Sequence, residues 1–157
     1  MKDDKTTPVH HPHNNLFEKA FSNPAVTWDF LQSRLEPSVL NKLDPRSLKL
    51  ESSSFIDDEL KQSYSDLVMS ARLAGKQSYI YFLIEHQTKN AKHMMLRLLE
   101  YNTKLMRRHI EQGGKKLPTI INFVLYAGGH RYTRERNILE AFEDPISFIN
   151  LLKRNTV

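Results

Sequence analysis

The chain has 157 residues, enough for one domain with a real core, and carries 23 Lys and Arg against 18 Asp and Glu, a formal charge of +5. It has no Cys, which excludes disulfides, thiolate metal sites and Cys nucleophiles. No apolar run reaches membrane-spanning length, and the basic excess favours a polyanionic partner.

Residues 1–14 form a polar leader with Pro8, Pro12, His10, His11 and His13. It lacks the apolar core of a secretory signal, so the expected location is cytoplasmic. The three His read as a solvated segment rather than a metal site, since nothing nearby completes a ligand set. Asn15–Leu35 has helical periodicity interrupted at Ser22-Asn23-Pro24. Asn23 suits an N-cap and Pro24 the first helical position, so two short helices are expected. Glu36–Arg46, punctuated by Pro37 and Pro45, reads as a connector.

Three extended segments are expected next: Leu48–Ile56, Gln62–Leu73 and Gln77–Thr88, separated by an acidic turn at Asp57–Lys61 and by Ala74-Gly75-Lys76. The third is apolar on both faces, with Tyr79, Tyr81 and Leu83 alternating with Ile80, Phe82 and Ile84; this marks a central strand. Asn90–Gln112 is a helix whose apolar stripe is Ala91, Met94, Met95, Leu98, Leu105 and Met106. Gly113-Gly114 ends it, and Leu117–Tyr126 is a buried strand parallel to its neighbour because a helix intervenes. Asp144-Pro145 starts a last helix. The order α-β-β-β-α-β-α predicts an α/β fold with a central mixed sheet.

Within that order, Asp66 starts one strand and Glu85 and Gln87 end the next. A turn centred on Gly75-Lys76 would set Asp66 directly opposite Glu85, and a tight turn at Asp58-Glu59 would set Glu51 opposite Asp66. Three carboxylates in one row repel unless one is protonated or a cation lies between them. Hard oxygen donors on a rigid sheet suit Mg²⁺, with Mn²⁺ as a substitute. The same acids also read as solvated strand ends, and a one-residue slip would move any of them to the other face. Arg107, Arg108, Lys115, Lys116 and Arg131 are candidates for phosphate contacts or, equally, for a solubilising face. No specific DNA-reading module is visible, so weak sequence selectivity is expected.

The stretches PHNNLFEKAF, LKLESSSFIDDELKQSYSDLVMSARL, YIYFLIEHQTK, MMLRLLEY and LPTIINFVLYAGG, spanning Pro12 to Gly129, resemble the Rpn family of recombination-promoting nucleases, also known as YhgA-like transposases. The Asp66 … Glu85-His86-Gln87 spacing is similar to the wider PD-(D/E)XK nuclease superfamily. The resemblance implies a restriction-endonuclease-like core over 15–129, followed by a basic segment over 130–157. It implies a Mg²⁺-dependent DNA endonuclease that promotes recombination, with Asp66 and Glu85 as metal ligands and no organic cofactor. DNA is the implied partner; a homodimer or pairing with a longer relative is the further expectation. Gln87 stands where the superfamily often has a catalytic Lys, and His13-Asn14 stands where the family commonly shows His-Asp. The second reading is a catalytically inactive nuclease-fold protein that binds DNA or another protein.

Overall fold

The computed structural model describes residues 12–51, 66–85, 93–126, 131–133 and 135–154. Gln87, His10, His11 and the acidic turn at 57–61 lie outside the described residues. Helices α1 (Pro12–Phe21), α2 (Pro24–Arg34) and α3 (Pro37–Leu40) lead into strands β1 (Leu43–Leu50), β2 (Asp66–Leu73) and β3 (Lys76–Glu85). Helix α4 (Met94–Glu111), strand β4 (Thr119–Tyr126), a 3₁₀ turn (Ile138–Ala141) and helix α5 (Pro145–Arg154) complete the order. The sheet runs β1-β2-β3-β4, antiparallel through β3 and parallel between β3 and β4. This is the expected α/β architecture with a four-stranded mixed sheet flanked by helices, compatible with a restriction-endonuclease-like core. Among the described residues, no helix is long and apolar enough to cross a membrane.

Capping chemistry divides the first helical segment as expected. The Asn23 side-chain oxygen accepts from the Ala25 N–H at 3.0 Å, with Pro24 at the first helical position. The first helix already begins at Pro12, three residues before its expected start. The Thr27 hydroxyl, fully buried, donates to the Phe21 carbonyl at 2.7 Å and ties α2 to the end of α1.

β3 is the central strand. Tyr79, Ile80, Tyr81, Phe82 and Leu83 are all buried, with alternate residues entering two cores. On one face, Phe82 stacks on Phe123 (5.4 Å between centroids) and meets Phe21 at 5.0 Å and Phe30 at 5.8 Å, with Leu31 beneath them. On the other, Val68, Tyr79, Tyr81 and Leu83 pack against Met94, Met95, Leu98, Tyr101 and Leu105 of α4. Tyr101 was missed in the expected stripe because a tyrosine on a charged helix reads equally well as a surface residue.

The first strand differs from expectation. It begins at Leu43 rather than Leu48 and so takes in Pro45, which the sequence places in the connector Glu36–Arg46. β1 is an edge strand, where a residue without an N–H costs no ladder bond. It also carries a bulge: Asp44 pairs with Arg72, but Lys49 pairs with Ser70. Side chains replace the lost ladder there, since the Arg72 N–H donates to Ser47 Oγ at 2.7 Å and the Arg46 N–H to Asp44 Oδ1 at 3.0 Å.

The β2–β3 turn is also displaced by one residue. Leu73 pairs with Lys76, and the central residues Ala74 (φ 50°) and Gly75 (φ 75°) both have positive φ. Positive φ at both positions marks the type I′ turn, whose twist matches a two-residue hairpin. A left-handed conformation costs an L-residue such as Ala about 1–2 kcal/mol, and Asn tolerates it better. Ala74→Asn should therefore raise the melting midpoint by about 2–4 °C, and Ala74→Val should lower it; thermal melting followed by circular dichroism measures both.

Candidate active site

The turn sets the register of the acids. Asp66 pairs with Leu83, not with Glu85, which pairs with Tyr126 of β4. Glu51 follows β1, and its N–H donates to the Val68 carbonyl at 2.9 Å, so it stands level with Val68 rather than Asp66. Both expected registers are thus corrected by two residues. A two-residue shift preserves strand parity, so positions 51, 66 and 85 remain in the set that includes Val68, Tyr81 and Leu83, on the α4 side of the sheet.

The correction turns the expected row into a staircase. Position 66 is one strand and two residues from both 51 and 85, a diagonal of about 7–8 Å. Positions 51 and 85 are two strands and four residues apart, about 16 Å. Diagonal carboxylates escape the repulsion of directly opposed ones. An Asp and a Glu on such a diagonal span a distance that one cation with oxygen bonds of about 2.0–2.1 Å can bridge. The register therefore sets positions 66 and 85 one diagonal apart and leaves position 51 two strands away from position 85. Among the described residues no group of three or more His, Asp or Glu is placed to hold a metal.

Glu51 also borders a groove of about 840 Å³ on the same face of the sheet, beyond the end of α4. Arg46, Lys49, Arg72 and Arg108 line it and outnumber Asp44 and Glu51. The bulge in β1 is what brings Arg46 and Lys49 together with Arg72, a common use of bulges beside functional sites. Of the expected phosphate contacts, Arg108 lies in the groove. Arg107, Lys115, Lys116 and Arg131 are exposed and are not among its lining residues. Lys115 and Lys116 precede β4 and Arg131 follows it, so these candidates stand at opposite ends of that strand. Sequence reading missed Arg46, Lys49 and Arg72. Arg72 was detectable, because it alternates with the apolar Leu67, Met69 and Ala71; the other two depend on the bulge.

At the floor of the groove the Tyr79 hydroxyl lies 3.3 Å from His109 Nδ1, a bond the hydroxyl donates when the neutral imidazole carries its proton on Nε2. Gly114 makes room for that imidazole, since a Cβ there would collide with the His109 ring and lie 2.8 Å from its carbonyl oxygen. Burial raises the Tyr79 pKa above 10.0, the Glu51 charge raises it further, and Arg108 opposes both. A neutral phenol favoured by the fold contributes stability that is present below pH 10 and lost as pH rises through the folded value. In a difference titration of phenolate absorbance between wild type and Tyr79→Phe, Tyr79 should ionise above the ordinary value. Glu51→Gln should shift that ionisation downward without bringing it below the ordinary value, because burial remains the larger cause.

Comparison with known proteins adds a lineage to this geometry. The family described as "Putative transposase, YhgA-like" matches residues 11–156. The chain is 38% identical over 135 residues to the recombination-promoting nuclease RpnA of Escherichia coli K12, covering 85% of this chain and 46% of the relative. It is 36% identical over 136 residues to the recombination-promoting nuclease RpnD of Escherichia coli O157:H7, covering 85% and 52%. It is also 36% identical over 136 residues to the inactive recombination-promoting nuclease-like protein RpnE of Escherichia coli K12, covering 85% and 45%. The chain spans about half the length of the curated relatives it matches. No solved structure matches it.

Proposed function

The chain belongs to the YhgA-like transposase family, and from that premise we propose that it is a metal-dependent DNA endonuclease of low sequence specificity acting in recombination. The observation that carries this reading is the placement of Asp66 and Glu85 at the same end of adjacent central strands, on the face that also carries the basic groove. The names of RpnA and RpnD supply the reaction class.

In this reading Asp66 and Glu85 hold a Mg²⁺, which Mn²⁺ can replace. When bound, the cation supplies positive charge to a phosphate and makes a coordinated water more acidic. The protein's own residues do the rest. Arg46, Lys49, Arg72 and Arg108 attract the phosphate backbone into the groove and orient it without reading bases. Gln87, two residues beyond Glu85, offers an amide that can orient the attacking water or a phosphate oxygen. It cannot accept a proton as a base and adds no positive charge, so this site depends on its cation more heavily than one with a Lys at that position. Glu51, apart from Glu85, tunes the charge of the groove and the Tyr79 phenol.

A second reading is favoured by one specific observation: RpnE, as similar to this chain as RpnD, is named inactive. On that reading the chain keeps the groove and binds DNA without cutting it.

Plasmid nicking by the purified chain in Mg²⁺ separates the two. Asp66→Ala and Glu85→Ala should each lower the rate by more than the roughly 10–100-fold that loss of an outer-shell partner costs. Nicking unchanged in both variants would remove the assignment, and a wild type that binds DNA but never cuts would select the second reading. DNA affinity should fall linearly with log salt concentration, and Arg72→Ala should reduce that slope by about 0.9, the value of one lost phosphate contact. A slope unaltered by Arg72→Ala would remove the groove from the DNA path.

A further inference from the structure

A second cavity, of about 500 Å³, lies between α4, β4 and the segment that follows β4. Its volume falls within the roughly 300–1,000 Å³ of small-molecule sites and far exceeds the ~30 Å³ share of a single water. Most of its wall is apolar, including Leu98 of α4 and Val124 of β4. Asn102, Asn122, Glu135, Arg136 and Asn137 supply the polar and charged part of the wall, and two of these bear buried oxygens. Asn122 occupies a β4 position flanked at two-residue spacing by Ile120 and Val124, and Asn102 sits one helical turn beyond Leu98. Both line the cavity, and the side-chain oxygen of each is buried with no hydrogen-bond partner.

Buried acceptors left unmet are rare in folded proteins, and each calls for a cause. Two of them on residues that line one cavity share a simple cause: a ligand toward which each amide turns. The terminal torsion of an Asn amide is soft, so each amide can turn its oxygen or its nitrogen toward an occupant. Paired donors and acceptors of that kind match the edge of a nucleobase, as Asn amides do when they read bases. Flat walls are present as well. Tyr126 and Tyr132 line the cavity with their ring centroids 5.4 Å apart, and aromatic faces accept stacked bases of any sequence. Tyr126 is also the β4 register partner of Glu85, so the cavity adjoins the strand ends that carry the candidate acids.

From these features we infer that the cavity between α4 and β4 binds a nucleobase through Asn102 and Asn122. The base belongs either to a free nucleotide or to a nucleotide extruded from DNA. The recognition chemistry stands on the cavity's own residues, and only the DNA source rests on the nuclease reading.

The test is done in chelator, so that cleavage plays no part. The full chain is titrated calorimetrically with dAMP, dCMP, dGMP and dTMP, and separately with a duplex containing 2-aminopurine, whose fluorescence rises on unstacking. Saturable binding of at least one nucleotide, or a fluorescence rise on the duplex, is expected, weakened at least tenfold by Asn102→Leu or Asn122→Leu. Nucleotide binding without the fluorescence change supports the site with a free nucleotide as its ligand; the reverse supports it with an extruded base. Absence of both signals in the wild type overturns the inference, as does a signal that survives both substitutions. Should either variant fail to fold, competition against the wild type decides: displacement by deoxyribose 5-phosphate as effective as by the nucleotide assigns recognition to the phosphate and overturns it. Plasmid nicking that depends on Asp66 while nucleobases go unbound would leave the nuclease reading standing alone.

Discussion

Burial of β3 on both faces is the constraint on which the rest of this structure depends. Five consecutive residues, Tyr79 to Leu83, are withdrawn from water, and each face needs its own cover. The Phe82 side recruits the rings of α1, α2 and β4, while the Tyr81 side recruits the stripe of α4. Loss of either cover would expose large apolar side chains, each contributing about 1.5–3 kcal/mol by burial. The two layers therefore cannot be assembled independently of the strand between them. The same burial holds the ends of β2 and β3 at fixed positions, and Asp66 and Glu85 sit at those ends.

Electrostatics and register meet at these acids. Directly opposed carboxylates would work against the pairing that the apolar residues drive. The type I′ turn at Ala74-Gly75 sets Asp66 against Leu83 and places Glu85 on a diagonal, which relieves the repulsion. The bulge in β1 has a parallel effect on the cations. It spends a few ladder bonds, replaced through Ser47 and Asp44, to bring Arg46 and Lys49 beside Arg72. Strand alternation puts groove and acids on one sheet face, and the two local irregularities set where along it they stand.

The family brackets the chemistry from both sides, since relatives of similar identity are named as a nuclease and as an inactive protein. The chain matches about half the length of those relatives, so it carries the fold and the candidate acids while their remaining length has no counterpart in the alignment.

Much of the architecture was legible in the residues alone. The doubly apolar run at 77–88 identified the central strand, Asn23-Pro24 divided the first helices, and the helix between two strands made β4 parallel. These are local or pairwise rules, and the chain obeys them because each acts within a few residues. The strand parity of Asp66, Glu85 and Glu51 followed from the same alternation. What only the tertiary structure decided was which residues stand level across strands. A hairpin's register depends on which two residues take positive φ, and here the left-handed Ala74 moved every pairing. Pro45 read as part of a connector until the position of β1 at the sheet edge made its missing N–H harmless. The basic groove and the cavity with its two buried amides lie between elements distant in sequence, so no local pattern announces them.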